Sequence, residues 1–436
     1  VRRFINEGQL PPKDAVRLEE MINYFKYEYP QPKDATPFSV NTEISQSPWN
    51  PTHKLVQIGL QGKNISTENL PPNNLVFLID VSGSMNDPNK LPLLKSSLRL
   101  LVNELRPNDK VSIVVYAGNA GLVLPATPGN QKETILNAID KLDAGGSTAG
   151  GEGIQLAYKI AKENFIKSGN NRIILASDGD FNVGVSSDTE LVSLIEKQRD
   201  QGIFLTILGL GMGNLQDAKM EKLANKGNGN YAYIDSLMEA KKVLVTQMGG
   251  TLLTIAKDVK IQVEFNPRLV QGYRLIGYEN RLLAKQDFND DKKDAGEIGA
   301  GHQVTALYEI IPVGVKSDVS LSKVDDLKYQ KPAQVNTAYN SNELMQVKLR
   351  YKQPNQNNSQ LITIPVINKE VKLQNASTNF KFAASVAAFG MVLRDSQYKG
   401  TANFDQVLNL ARQSQGTDLD GYRAEFIRLV DKSKSL

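Results

Sequence analysis

Hydrophobic positions along this chain follow two different rhythms, and the changes between them divide it. In "PPKDAVRLEEMINYFKYEYPQP", Leu18, Met21, Ile22 and Phe25 recur at helical spacing, which predicts a helix with Asp14 as N-cap and Pro30 as its stop. Two extended pieces follow. Phe38, Val40 and Ile44 alternate in "PFSVNTEI", as do Val56, Ile58 and Leu60 in "HKLVQIGLQG". Such alternation predicts strands with one buried face.

Between Asn73 and Gln247 the texture changes. "LVFLID", "KVSIVVYA", "RIILAS" and "IFLTILGLG" are nearly continuous apolar runs, separated by helical patterns such as "LPLLKSSLRLLVNEL", "GGEGIQLAYKIAKENF" and "DTELVSLIEKQRDQ". Strands of this kind are buried on both faces, and crossovers between them are right-handed almost without exception. The span is therefore expected to be α/β, a doubly wound and mostly parallel sheet.

After Thr251 alternation returns. Ile261, Val263 and Phe265 oppose Lys260, Gln262 and Glu264, while Met345, Val347, Leu349 and Tyr351 oppose Gln346, Lys348 and Arg350. The turn "QPNQNNSQ" then leads to "LITIPVI", and the charged stretch Lys285 to Glu297 reads as a loop. At the C-terminus Phe382, Val386, Phe389 and Leu393 share one helical face, and Leu419, Tyr422, Phe426 and Leu429 another. The expected organisation is an N-terminal helical segment (1–34), an antiparallel β-sandwich from 35–70 and 251–370, an α/β domain (71–250) inserted into it, and a C-terminal helical segment (371–436).

Composition narrows the partners. A formal charge of +4 over 436 residues, without a basic run, argues against nucleic acid. Cys is absent, so disulfides and thiolate metal sites are excluded. Val111 to Gln131 carries no charge, but Gly118, Asn119, Gly121, Pro125, Pro128 and Gly129 cut it into strand-sized pieces, whereas a lipid-facing helix runs about 20 residues unbroken. No transmembrane segment is expected. The chain begins at Val1 rather than Met, which reads as processed or trimmed.

The chemistry concentrates in three loops. "LVFLIDVSGSM" ends a buried strand on Asp80 and follows it with Ser82 and Ser84; "RIILASDGD" ends another on Asp178; "DAGGSTAGGEGI" sets Ser147 and Thr148 among glycines ahead of a helix. In an open parallel sheet, ligands bind outside the carboxyl ends of the strands, and Gly-rich turns admit close approach. Two carboxylates and neighbouring hydroxyls are hard oxygen donors that suit Mg²⁺, which prefers an octahedron of oxygens at about 2.0–2.1 Å and few carboxylates. The ion would keep a position open for a carboxylate from another protein.

"DVSGSM" resembles the Asp-x-Ser-x-Ser signature of von Willebrand factor type A domains, and Thr148 in "GGSTAGG" and Asp178 in "ASDGD" fall where that family completes its metal-ion-dependent adhesion site. The resemblance implies metal ligation by Asp80, Ser82, Ser84, Thr148 and Asp178, over a domain from about Asn73 to Met248. "RRFINEGQLPPKDAVRLEEMINYF", "EIGAGHQVTALYEI" and "GYRAEFIRLV" look like the flanks of the YfbK-type bacterial proteins, a group often predicted to be lipoproteins. The donor set and the type A resemblance imply a binding module rather than an enzyme, with Mg²⁺ as cofactor (Mn²⁺ or Ca²⁺ as alternatives) and a protein partner offering Asp or Glu. The expected location is the bacterial cell envelope, with a lipid anchor upstream of residue 1; the cytoplasm is the alternative.

Rival readings have identifiable requirements. Asp80, Ser82 and Ser84 alone would suit a polar β-to-α turn; Asp178 and the Gly-rich loop in register favour the metal, with Ser147 as the alternative to Thr148. "DGDFNVG" is not an EF-hand, because its Gly stands at position seven rather than six and Thr189 occupies the place of the terminal Glu. Asp180 and Asn182 then read as loop residues. "GLGMG" (209–213) lacks the spacing of a dinucleotide fingerprint, and no Walker loop occurs. His53 and His302 read as surface or loop residues, and Trp49 as packing against a helix. A Mg²⁺-dependent hydrolase would need a base from Glu152, Asp180 or Asp87. An assembly or chaperone subunit working with a ring ATPase is the other alternative.

Overall fold

The computed structural model describes residues 1–66, 70–117, 120–145, 151–179, 188–213, 215–247, 254–277, 296–316, 341–354, 356 and 358–436. They form two compact units: 1–64 together with 254–436, and 65–253. The α/β unit thus lies in sequence between two segments of the other.

The first unit opens with short helices α1 (Arg2–Asn6) and α2 (Leu18–Asn23), then β1 (Phe38–Gln46) and β2 (Lys54–Gly62). The N-terminal helix is shorter than its periodicity predicts. Asp14 falls in a separate 3₁₀ turn and caps nothing, and α2 starts after Arg17. Strand β2 also departs from expectation, since it is buried on both faces. Its polar residues are covered by the N-terminal segment: the Gln57 amide donates to Tyr29 Oη at 2.9 Å. Gly59 leaves room for the Tyr29 ring, because a Cβ there would lie 2.2 Å from the ring carbon Cζ.

The second unit comprises β3 (Asn73–Asp80), α3 (Leu91–Glu104), β4 (Lys110–Tyr116), β5 (Ala120–Pro128), α4 (Lys132–Asp140), α5 (Gly151–Glu163), β6 (Asn170–Ser177), α6 (Asp188–Arg199), β7 (Ile203–Leu210), α7 (Asp217–Lys226), β8 (Tyr231–Ile234) and α8 (Leu237–Lys241). The sheet order is β5-β4-β3-β6-β7-β8, parallel except for β5. The apolar runs are long because both faces are covered. Leu75, Phe77 and Ile79 of β3 pack in a core with residues of α3, α4 and α8, whereas Val76 and Leu78 pack with α5, α6 and α7.

The chain then completes the first unit with β9 (Thr254–Phe265), β10 (Val270–Leu275), β11 (Gly296–Gly299), β12 (Gln303–Pro312), β13 (Glu343–Lys352) and β14 (Ser359–Ile367). Two antiparallel sheets result, β1-β2-β12-β10 and β11-β9-β13-β14, and the Phe38–Tyr351 and Phe265–Tyr308 ring contacts join them. The alternation predicted for β9 fails at one point: Lys260 is buried and Ile261 exposed. Among the described residues, β11 pairs with β9 from Thr254 to Val259, short of Ile261. Gly296 and Glu297 belong to β11, not to a loop; residues 285–295 of that charged stretch lie outside the described residues.

Helices Thr378–Leu393, Phe404–Gln413 and Tyr422–Ser433 close the unit. The first is buried all round rather than on the predicted face. Phe25, Phe382, Phe389 and Phe426 meet edge to face around it, and Trp49 is buried in the same core. Leu419, expected to share the last helix's apolar face, precedes that helix and is 95% exposed. His53 is buried, contrary to its surface reading, and pairs through Nδ1 with Glu309 at 2.8 Å. His302 lies in an exposed turn, as expected.

Candidate metal centre

From β3 the chain winds outward to β4 and β5, then returns to β6 on the other side of β3. The carboxyl ends of β3 and β6 therefore flank the point where the strand order reverses, where open α/β sheets bind ligands. Ile79 pairs with Ala176, so Asp80 and Ser177 end adjacent strands and Asp178 follows directly. Asp80, Ser82 and Asp178 are 0%, 2% and 1% exposed.

Local structure holds the first loop. Val81 N–H donates to the Tyr116 carbonyl at 3.0 Å, and Met85, fully buried, anchors a 3₁₀ turn over Gly83–Asn86. The Ser82 backbone N–H donates to Asp80 Oδ1 at 2.9 Å. Asp80 Oδ2 accepts from the Ser177 hydroxyl at 3.1 Å and the Tyr116 hydroxyl at 3.3 Å. The Ser82 and Ser84 hydroxyl oxygens lie 3.0 Å apart. Burial raises the Asp80 carboxyl above its ordinary range; hydrogen bonds from Ser82 oppose this, and the nearby Asp178 charge adds to it.

Thr148, with Ser147, Asp180 and Asn182, lies outside the described residues. The residues bracketing Thr148 are fixed at this end of the sheet. Gly145 N–H donates to the Val81 carbonyl at 2.8 Å. Gly153 in the first turn of α5 abuts Tyr116, since a Cβ there would sit 2.9 Å from the Tyr116 Cβ. Four of the five predicted ligands, Asp80, Ser82, Ser84 and Asp178, are thus brought to one place.

Three participants escaped the sequence reading. Ser177 and Tyr116 orient Asp80. Lys90 extends its ammonium to Asp178 Oδ2 at 3.0 Å, the Ser84 carbonyl at 2.8 Å and Asp87 at 3.4 Å, with its side chain only 9% exposed. Burial works against its charge, yet the Asp178 and Asp87 carboxylates carry its affinity for the proton above the ordinary lysine value. A signal was present, because a lysine at the start of a helix opposes the helix dipole.

Asp178 Oδ1 bears on whether these residues suit a cation. It is buried and has no hydrogen-bond partner among the described residues, a costly state for a carboxylate oxygen. A hard cation would satisfy it, and Asp80 with the Ser82 and Ser84 hydroxyls would supply further oxygens. Among the described residues no cluster of three or more His, Cys, Asp and Glu side chains could hold a metal, so any ion here would rely on hydroxyl oxygens beside the two carboxylates. Of the acids named as hydrolytic bases, Asp87 is engaged by Lys90, whereas Asp180 and the Glu152 side chain lie outside the described residues.

Comparison with known proteins agrees with this architecture. The family model for the von Willebrand factor type A domain matches residues 74–247, a second von Willebrand factor model matches 1–57, and the C-terminal model of the uncharacterized protein YfbK matches 250–436. The uncharacterized protein YfbK of Escherichia coli K12 is 45% identical over 99% of this chain and 75% of its own length. Inter-alpha-trypsin inhibitor heavy chain H3 of Bos taurus is 29% identical over 55% of this chain and 28% of that protein. Among solved structures, a von Willebrand factor type A protein from Catenulispora acidiphila is 17% identical, covers 89% of both chains and has a TM-score of 0.44. No helix among the described residues is long and apolar enough to cross a membrane. The chain belongs to the YfbK family, and its central unit is a von Willebrand factor type A domain, a family of protein-binding modules.

Proposed function

We propose that the loops after β3 and β6, together with the chain ahead of α5, hold a divalent cation, Mg²⁺ foremost, that accepts a carboxylate from a partner protein. The observation that carries this reading is the buried Asp178 Oδ1, without a partner among the described residues, beside an equally buried Asp80 and the paired Ser82 and Ser84 hydroxyls. The ion would supply a Lewis-acidic position for the partner's oxygen. Asp80 and Asp178 would neutralise its charge while Ser82, Ser84 and Thr148 contribute uncharged oxygens. Ser177 and Tyr116 hold the Asp80 carboxylate in orientation, the outer support that metal ligands require.

The role is recognition without covalent chemistry, in the bacterial envelope. Thermal unfolding of the full chain in EDTA and in excess Mg²⁺ or Mn²⁺, for the wild type and Asp80→Ala, tests the metal. A metal-dependent rise confined to the wild type is expected; identical curves with and without metal would end the proposal. Fractionation of the native protein tests the location.

A further inference from the structure

The ammonium beside the carboxylates has no part in the metal reading above, and its surroundings show that it is built in. Lys90 precedes α3, and its stem lies against Gly211 in the loop after β7. Gly211 has φ +71°, and a Cβ there would come within 2.3 Å of Lys90 Cε and 2.8 Å of Cγ. Any larger residue at 211 would push into the lysine stem. The Gly211 carbonyl is itself held by the Tyr233 hydroxyl at 2.7 Å. Glycine in the sequence "GLGMG" thus opens the channel through which Lys90 reaches Asp178.

We propose that Lys90 is a tethered counter-cation that occupies Asp178 Oδ2, leaves Oδ1 as the only Asp178 oxygen open to a divalent ion, and sets the affinity of the site for that ion. The inference rests on the metal reading and adds a specificity-determining residue to it. Without the ion, two buried carboxylates would face each other, and the Lys90 charge relieves that repulsion. A dication held at Asp178 Oδ1 would be repelled by the same ammonium, which lies 3.0 Å from the other oxygen of that carboxylate, and its affinity would be held down. By holding Oδ2 it would leave Asp178 one oxygen for ligation, which would suit a small octahedral ion better than one taking carboxylates through both oxygens.

The test is Mn²⁺ and Mg²⁺ titration by calorimetry on the full chain, with thermal unfolding in EDTA, for wild type, Lys90→Met, Lys90→Gln and Lys90→Met/Asp178→Asn. Both single variants should bind Mn²⁺ roughly tenfold tighter or more, as expected when a like charge is removed near the ion. In EDTA, Lys90→Met should unfold at a lower temperature than wild type, and adding Asp178→Asn should restore the loss. Lys90→Gln keeps a donor for the Ser84 carbonyl, so it separates charge from hydrogen bonding should Lys90→Met fold poorly. Metal affinity equal to or weaker than wild type in both single variants would overturn the inference while leaving the metal reading standing. A wild-type chain that binds neither ion would remove both.

Discussion

Replacing Asp80 by Asn separates the two roles of this carboxylate, because stability with and without metal should respond in opposite directions. Asp80 accepts from the Ser82 N–H and from the Ser177 and Tyr116 hydroxyls while fully buried. An asparagine amide keeps the carbonyl oxygen for Ser82. Its NH₂ faces two hydroxyls, each able to turn and accept. The buried charge, whose burial raises the Asp80 carboxyl, disappears together with its repulsion from Asp178. In EDTA the variant should therefore match the wild type or exceed it by up to about 1 kcal/mol. Asp80→Ala offers no acceptor and should lose about 1–3 kcal/mol for the buried donor left unmade.

Metal reverses the order. An ion at a hundred times its Kd stabilises the wild type by about 2.7 kcal/mol. For a domain of this size, that is roughly 5–11 °C in Tm. Asp80→Asn should lose this increment, since a neutral amide cannot replace a carboxylate at a site with so few charges. Unfolding of the wild type and both variants by near-ultraviolet circular dichroism, in EDTA and in saturating MgCl₂, gives all six values. An Asn variant that keeps the full metal increment, or that falls as far as Ala in EDTA, would show that Asp80 does not play these two parts.

Other perturbations address the support of the site and the first unit. Gly211→Ala should cost about 1–2 kcal/mol from the left-handed backbone alone, plus the clash with Lys90; in a Lys90→Ala background the steric part vanishes, and a urea double-mutant cycle should show coupling above about 0.5 kcal/mol. Glu309→Ala would strand His53 and Arg274, which share this buried carboxylate; a loss of about 3–5 kcal/mol is expected in chemical denaturation, and one below about 1 kcal/mol would contradict it. Burial, aided by the Tyr273 charge, pushes Tyr308 up to about 12 from its ordinary 10.0. Because the folded value is the higher one, the unfolded chain loses this proton first between those pH values, and stability should fall there by about 1.4 kcal/mol per pH unit. Tyr308→Phe should remove that alkaline loss in denaturation curves taken at pH 9, 10 and 11.

Much of the fold was legible because burial writes itself into periodicity. Strands β3, β6 and β7 are continuous apolar runs because helices cover both faces of their sheet. The failures share a different cause, which is cover supplied from far along the chain. Gln57 and Gln61 look solvent-facing until the N-terminal segment and β12 fold over them. His53, in the loop before β2, looks exposed because its partner Glu309 lies 256 positions away. Ile261 looks buried because its alternation runs on past Val259, where the described pairing with the remote β11 stops.

The site divides along the same line. Asp80, Ser82, Ser84 and Asp178 were readable since each stands at or just beyond the end of an apolar run, where the chain must turn polar. Lys90 was not, because its meaning depends on Gly211 and Asp178, both remote in sequence. Its inclusion changes the electrostatic account of recognition. If Asp80 and Asp178 alone faced a divalent ion, the loaded site would be neutral, and a partner's carboxylate would make it negative. Counting the buried groups with the Lys90 ammonium, and leaving out the solvent-screened Asp87 at 67% exposure, the loaded site would carry one net positive charge. A single Asp or Glu side chain would then bring it to neutrality, so the residue that weakens metal binding would favour the anionic partner once the metal is in place.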